Sequence, residues 1–375
     1  MKKATILLSL AALLASCGGG QEPEKGEVIT DMIGREVRVI PGSYKKVVCI
    51  GAGALRLYSY VGDVDLLAGV EDIDNEALSE RPKMFDGVAR PYVLANSEKF
   101  KTLPSCGVGG PNAQTAEAEK ILSCKPDIVI SEYEDVEKED ALQKQLGVPV
   151  ITLKCGSGGL NNDSALGTYS LLGKIFGKQE RAKQLSDFIA AEKKALSDRT
   201  ASIAEEDKVN AYVCGLGNWG TTNQYMTAQN YDVFNTVHIN NVVTGLPKDG
   251  VQSITAEKFA SIAADMDLMI FDAAAVKNIR GTGFDFSQCA AFQTGEVYLQ
   301  MAYNAYYTNL ETALINAWFT GKAAYPSLFA DVDIAAKADE ITEKFNGKKL
   351  YEQMKGKPQS FGGYQKIANP TEFFK

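Results

Sequence analysis

Short apolar runs alternate with longer helical patterns from residue 28 onward, and this alternation restricts the fold more than any other feature of the sequence. Strand-like runs occupy residues 46–50, 65–70, 125–130, 148–153, 209–213, 268–272 and 297–301. Apolar residues at helical spacing occupy residues 54–61, 112–124, 141–146, 256–263 and 310–319. This order predicts an α/β protein with mostly parallel sheets. A chain of 375 residues is long enough for two such domains.

The longest amphipathic pattern lies near the middle of the chain, at residues 179–196. Its apolar face is formed by Ala182, Leu185, Phe188, Ile189 and Leu196. Because strand–helix units resume after it, the predicted fold class is α/β, with two Rossmann-like lobes of mostly parallel sheets joined by a long central helix. We expect an N-terminal lobe at 28–163, a connecting helix at 164–203 and a C-terminal lobe at 204–375.

A short internal repeat, called the echo below, supports two similar lobes. The segment AEKI at 118–121 precedes the strand-like run DIVI at 127–130, and AEKF at 256–259 precedes DLMI at 267–270. A Gly-x-Gly turn also follows the first strand-like run of each half, at 51–53 and 215–217. The same features in the same order predict lobes of related topology.

The first 17 residues have the features of an export signal. Lys2 and Lys3 precede a largely apolar run at 4–15, which is shorter than the roughly 20 residues that a membrane span needs. Residues 14–17 (LASC) resemble the lipobox of bacterial lipoproteins, so we expect a signal peptide over 1–17 with lipidated Cys17. A flexible tether over 18–27 follows. The protein would then be anchored to a membrane of the cell envelope, facing the periplasm or the exterior; an ordinary secretory signal is the alternative.

Charge and histidine content exclude several functions. The formal net charge of −8 argues against a nucleic-acid partner, because phosphate binding needs a basic surface. His238 is the only histidine, which excludes sites built from several imidazoles. It allows one Ser-His-Asp arrangement, although no serine lies in a G-x-S-x-G elbow. An anchored hydrolase and a surface adhesion lipoprotein are less favoured alternatives.

Several stretches of the sequence resemble one protein family. They are TDMIGR at 30–35, the loop, helix and strand from Gly109 to Ile130, Glu257 with DLMI at 267–270, and YNAYYTNLE at 303–311. They are similar to the periplasmic binding proteins for ferric siderophores and vitamin B12, and the last stretch is similar to an iron-complex subgroup. The resemblance implies a protein without catalytic residues or a resident cofactor, which holds its ligand between the lobes and serves ABC permease and ATPase subunits.

Arginine and glycine supply the first candidates for ligand contacts. Arg56, at the start of the first predicted helix, and Arg90 and Arg280, in predicted loops, are suited to binding carboxylates or oxyanions. Tyr92 lies beside Arg90. Gly53 ends a turn before a helix, where backbone N–H groups can meet an anion. A surface position for each arginine and a simple tight turn at Gly53 are the alternatives.

Aromatic residues supply the other part of the predicted pocket. Trp219 follows a strand-like run, and Tyr303, Tyr306 and Tyr307 cluster after another. Flat rings with polar ends suit a large planar or catecholate ligand. Packing beneath the cleft is the alternative, and we expect it for at least one of the three tyrosines.

The resemblance also implies docking residues. Glu119 and Glu257, at equivalent places in the echo, are expected to contact arginines of the membrane permease, one from each lobe. The alternative is a pair of exposed helical glutamates.

The sequence leaves the identity of the transported ligand undecided. With a single histidine, a metal already held by a chelator is favoured over a bare ion, because the chelator supplies the metal ligands. We therefore expect an iron complex, such as a ferric siderophore, and no metal site of the protein's own. Haem, a corrinoid and a molybdate-like oxyanion are the alternatives.

Overall fold

The structure is a computed structural model and describes residues 26–113, 115–155, 159–217 and 222–375. The predicted signal peptide, Cys17 and Trp219 lie outside these residues. The elements up to residue 200 are β1 Glu27–Thr30, β2 Glu36–Val39, β3 Val47–Ile50, α1 Ala54–Val61, β4 Val70–Glu71, α2 Pro91–Phe100, β5 Ser105–Gly107, α3 Ala118–Ser123, β6 Ile128–Ser131, α4 Val136–Leu146, β7 Val150–Thr152, α5 Asp163–Phe176 and α6 Gln179–Thr200.

The remaining elements form the second half of the molecule. They are β8 Asn210–Cys214, β9 Met226–Thr227, α7 Asp232–Thr236, β10 Asn240–Asn241, β11 Gln252–Ser253, α8 Ala256–Ile262, β12 Leu268–Asp272, α9 Ala273–Ile279, α10 Ala290–Thr294, β13 Val297–Gln300, α11 Leu310–Ala324, α12 Ile334–Asn346, α13 Tyr351–Lys355, β14 Gln365–Lys366 and α14 Pro370–Phe373.

Two parallel sheets organise the two lobes. In the N-terminal lobe the order is β3-β6-β7, and all neighbours are parallel. In the C-terminal lobe β8, β12 and β13 repeat this arrangement within a sheet of order β10-β8-β12-β13-β14, where β14 is antiparallel. The predicted α/β fold with two similar lobes is confirmed. The echo has a structural meaning, because α3 and α8 precede the middle strands β6 and β12.

The long central helix is also confirmed, with one difference. Helix α6 covers the predicted span and buries Ala182, Leu185, Ile189 and Leu196, while Phe188 is half-buried against Phe345. Residues 164–203 contain two helices instead of one. Gly177 ends α5 in the left-handed conformation with φ 65°, and α6 begins two residues later.

Two other boundaries differ from the prediction. The strand expected at 65–70 is only Val70–Glu71, since the Asp63 carboxylate accepts from the Asp65 N–H and starts a short 3-10 turn. The helix expected over 112–124 is only Ala118–Ser123.

The chain passes between the lobes three times within the described residues. The first passage is through α5 and α6. After α11, helices α12 and α13 return to pack on α2, where Lys348 Nζ donates to the Ala95 carbonyl and Lys357 Nζ lies 3.1 Å from Glu76 Oε1. The third passage leads to β14 on the C-terminal sheet.

Arg35 joins the N-terminal hairpin to the first sheet. Its guanidinium is buried and contacts Asp31 Oδ2 at 3.2 Å, Asp140 Oδ1 at 2.8 Å and the Val150 carbonyl at 3.2 Å. The second Asp31 oxygen accepts from the N–H groups of Ile33 and Arg35. This network explains the local order of the 30–35 segment.

We expect Arg35→Met to destabilise the protein by about 3–5 kcal/mol, because it leaves Asp31 buried without its counter-charge. Arg38→Met is the matched control: Arg38 is exposed on the same hairpin, and its loss should change stability by less than about 0.5 kcal/mol. Urea unfolding of both variants measures the difference. Equal losses would contradict the role assigned to Arg35.

Candidate functional site

A cavity of about 270 Å³ lies between the two lobes. Its N-terminal wall follows the strand ends of β3 and β6, and its C-terminal wall is the loop after β13. The residues that line it are Ala52, Phe85, Gly110, Pro111, Ala113, Glu132, Tyr133, Asn304, Tyr306 and Tyr307. Loops at the carboxyl ends of parallel strands are the usual ligand-binding edge of α/β folds.

The loop after β13 is held in shape by the side chain of Asn309. Its amide nitrogen donates to the carbonyls of Tyr303, Ala305 and Tyr307 at 3.1, 3.1 and 3.2 Å. Tyr306 and Tyr307 both have positive φ angles, 58° and 65°, which non-glycine residues seldom adopt. This conformation places the two adjacent rings on the cavity wall.

Tyr306 is buried and joins the lobes, whereas Tyr307 is 45% exposed. The Tyr306 hydroxyl accepts from the Gly110 N–H at 2.8 Å and donates to Glu71 Oε2 at 3.1 Å. The other Glu71 oxygen accepts from the Gly51 N–H at 3.0 Å. One carboxylate therefore connects the turn after β3 to the C-terminal loop.

Arg56 lies behind the cavity wall and does not line it. Its guanidinium is buried, donates to the Tyr306 carbonyl at 2.6 Å and lies 3.5 Å from Cys155 Sγ. Arg56 is therefore engaged in holding the Tyr306 loop against the N-terminal lobe.

Arg90 and Tyr92 are buried in a structural ion pair instead of facing the cavity. Arg90 pairs with Asp74, and the Tyr92 hydroxyl donates to the same Asp74 oxygen at 2.8 Å. The Arg90 guanidinium lies 5.6 Å from the ring centroid of Phe85, which does line the cavity. Phe85 was not predicted from the sequence because it lies in an irregular loop.

Arg280 and Tyr303 also lie away from the residues that line the cavity. Arg280 is exposed, donates through Nε to the Phe373 carbonyl at 2.6 Å and stacks on the Phe373 ring. Tyr303 is buried beneath the loop, as expected for at least one of the three tyrosines, and burial raises the pKa of its hydroxyl. Nothing can be placed for Trp219, which lies outside the described residues.

Gly53 serves close packing. It precedes α1 with φ 95°, and a Cβ atom there would lie 2.2 Å from Cys155 Sγ and 2.7 Å from Arg56 Nη2. The turn is thus filled by protein atoms where an anion was expected.

Glu132 is the one carboxylate among the described residues that line the cavity, and it was not predicted from the sequence. It immediately follows β6 and is only 9% exposed. Burial raises its pKa to about 8, and hydrogen bonding from Cys155 and the charge of Arg56 oppose that rise. Glu71 also has its pKa raised to about 8, mainly by burial. Its position could have indicated a site residue, because Glu132 lies two residues beyond a predicted strand end.

Glu119 and Glu257 occupy matching places on the two lobes. Each is the second residue of its helix, α3 or α8, and each is exposed to solvent. The two helices precede the middle strands of their sheets, so the equivalence predicted from the echo extends to the structure.

The sequence profile described as "Periplasmic binding protein" matches residues 47–298, which is more than half of the chain. The chain belongs to this family. It is therefore a solute-binding component of an ABC transporter that works with permease and ATPase subunits in an extracytoplasmic location, and it is not an enzyme. No curated protein sequence matches the chain.

Solved structures share the fold of this periplasmic binding protein at low sequence identity. A periplasmic solute-binding protein from Veillonella parvula has a TM-score of 0.67 at 18% identity, covering 93% of this chain and 99% of that one. The molybdate-bound protein MolA from Haemophilus influenzae has a TM-score of 0.63 at 18% identity, covering 86% and 98%. CeuE from Helicobacter pylori, in a nickel–histidine complex, has a TM-score of 0.55 at 13% identity, covering 88% and 98%.

His238 has a structural role, which removes the basis for a hydrolase. Its Nδ1 lies 2.8 Å from Thr200 Oγ1, and its carbonyl accepts from the Tyr325 hydroxyl at 2.9 Å. In the part of the chain that the structure describes, no helix combines the length and apolarity needed to cross a bilayer.

We expect Gly53→Ala to destabilise the protein by about 3 kcal/mol or more, because the methyl group meets Cys155 and Arg56 at a strained φ. Gly34→Ala is the control: φ is similar at 88°, but the added methyl group meets nothing within 4 Å, so about 1 kcal/mol is expected. Replacing Cys155 with alanine in the Gly53→Ala background should recover part of the loss. Urea unfolding that gives Gly34→Ala and Gly53→Ala the same cost would refute the close-packing role.

Proposed function

We propose that this protein captures an iron complex, a ferric siderophore or similar metal chelate, between its lobes and delivers it to the membrane permease. The observation that carries the proposal is the interlobe cavity, whose walls come from strand ends of both lobes. Phe85, Tyr306 and Tyr307 give it aromatic surfaces that suit the organic shell of a chelate.

A chelated metal fits the residues better than a bare ion. Among the described residues no group of three or more His, Cys, Asp or Glu side chains is arranged to hold a metal. The ligands of the iron would therefore come with the chelator.

The cavity also favours a chelate over an oxyanion. No Lys, Arg or His is among the described residues that line it. The internal residues outside the description, Gln114, 156–158 and 218–221, include no basic side chain either. A molybdate-like oxyanion held by ion pairs would need such charges.

We further propose the boundaries and anchorage drawn from the sequence. The N-terminal lobe would comprise 28–163, the connection 164–203 and the C-terminal lobe 204–375. Cys17 would carry a lipid, with 18–27 as the tether, so that the binding protein stays close to its permease. Mass spectrometry of the mature N-terminus tests the lipid.

Glu119 and Glu257 are proposed to dock the two lobes on the permease. Their matching positions on exposed helix starts support contacts of the same kind at both ends of a two-lobed body.

For the ligand, we expect one class of chelate to bind with one-to-one stoichiometry when the purified full chain with Cys17→Ser is titrated. The probes are a ferric trihydroxamate, a ferric tricatecholate, haemin, cyanocobalamin and molybdate, with calorimetry as the measurement. Tyr307→Ala should weaken binding by about tenfold or more, because an exposed aromatic wall is lost. Leu328→Ala, similarly exposed outside the cavity, should leave affinity within about twofold. Binding of molybdate alone would show that the proposed ligand is wrong.

For docking, we expect Glu119→Ala combined with Glu257→Ala to lower import by about tenfold or more while the ligand Kd is unchanged. Glu180→Ala is the matched control, since Glu180 is likewise exposed at the second position of a helix, α6. Uptake of radioactive iron, supplied as the chelate that binds in the titration, measures the effect. Unimpaired uptake by the double variant would exclude the docking role.

A further inference from the structure

The carboxyl group of Glu132 is the unusual feature of the cavity wall. The residue is nine-tenths buried, and its Oε1 atom has no hydrogen-bond partner among the described residues. Leaving such an oxygen unpaired costs about 1–3 kcal/mol, or more for a charged group. Cys155 hydrogen-bonds to the carboxyl group, but not through this oxygen. Because the side chain lines the cavity, a rotation of the carboxyl group would present the buried oxygen to a donor that arrives with the ligand.

The cations near this carboxyl group are already engaged elsewhere. Arg56 donates to the Tyr306 carbonyl from behind the wall. Lys154 lies 3.4 Å from Glu134, and Arg90 pairs with the buried Asp74. None of these cations lines the cavity, so none supplies the missing partner from within it.

Buried acids outnumber buried bases around the cavity. Once Arg90 and Asp74 are counted as a pair, four buried acids remain against Arg56 alone: Glu71, the adjoining Asp72, Glu132, and Glu311, which lies near Arg56. Glu71 and Glu132 both have their pKa raised to about 8, mainly by burial. A positive charge entering the cavity would favour ionisation of Glu132 and would be bound more tightly in return.

The aromatic walls favour the same kind of ligand. The rings of Phe85 and Tyr306 lie 5.8 Å apart, and the half-exposed ring of Tyr307 follows directly in the chain. The faces of such rings attract cations, with a gain of about 0.5–2 kcal/mol per contact. The carboxyl group and the aromatic rings thus both favour a cationic ligand.

We propose that Glu132 selects the charge of the ligand: the cleft prefers a chelate that presents a cationic, hydrogen-bond-donating group, such as a protonated amine or amidine, and disfavours anionic chelates. The proposal rests on the proposed function in taking this cavity as the ligand site.

A reporter thiol in the cavity tests this selection without any ligand. In the full chain with Cys17→Ser, Tyr307→Cys places a thiol on the wall; the six other cysteines are buried. The reagents are a cationic and an anionic methanethiosulfonate, the trimethylammonioethyl and sulfonatoethyl compounds, at mildly alkaline pH. The rate constant of the cationic reagent is divided by that of the anionic reagent, and the result is divided by the same quotient for a small free thiol. This normalised ratio reports the local potential. Changes in the thiol pKa cancel in this ratio.

We expect a normalised ratio of about five, and we expect Glu132→Gln to bring the ratio to within about twofold of unity. Glu137→Gln, an exposed acid on α4, is the matched control and should leave the ratio unchanged. Ala113→Cys on the opposite wall is a second reporter, which covers a failure of Tyr307→Cys to fold. A normalised ratio at or below unity, or one that Glu132→Gln leaves unchanged, would overturn the proposal.

This outcome is separate from that of the proposed function. A cation-selective cleft without binding of any iron chelate would leave the charge selection standing and remove the iron complex. Binding of an anionic iron chelate together with a normalised ratio at or below unity would leave the iron complex standing and remove the charge selection.

Discussion

The architecture of the cleft depends on the contact between Arg56 and the loop after β13. A buried guanidinium donates to the Tyr306 carbonyl, and the Tyr306 side chain continues across the cleft to Gly110 and Glu71. Both the backbone and the ring of one residue are therefore bound to the opposite lobe. Because the loop has two successive residues with positive φ, these contacts also stabilise a conformation that would otherwise be costly.

The architecture could be predicted from the sequence because it depends on periodicity. Helix α1 and strand β12 have the predicted boundaries, and the mid-chain pattern indicated α6. Periodicity does not show where a helix is interrupted. The break at Gly177 depends on one left-handed glycine, and the short turn after Asp63 depends on one side-chain hydrogen bond.

The site was harder to predict, since its residues are defined by partners distant in sequence. Tyr306 and Tyr307 were selected as aromatic residues after a strand, and both line the cavity. Arg56 and Arg90 were selected for their charge, but a sequence does not show whether a guanidinium is already bound by another group of the protein. Asp74 engages one and a backbone carbonyl engages the other. Glu132 was not predicted as a site residue, although the sequence shows that it follows the strand β6. A single acidic residue beside a strand has many structural explanations.

The three passages of the chain between the lobes have a mechanical consequence. A two-lobed body with a single linker can rotate freely about it, whereas here any change in the width of the cleft must bend α6, the segment leading to α12 and the return to β14 together. Opening is then an elastic deformation of limited amplitude. The shape that the permease meets would then differ little between empty and loaded forms. If Glu119 and Glu257 dock the lobes as proposed, discrimination between these forms would come from small displacements of the two exposed helix starts relative to each other.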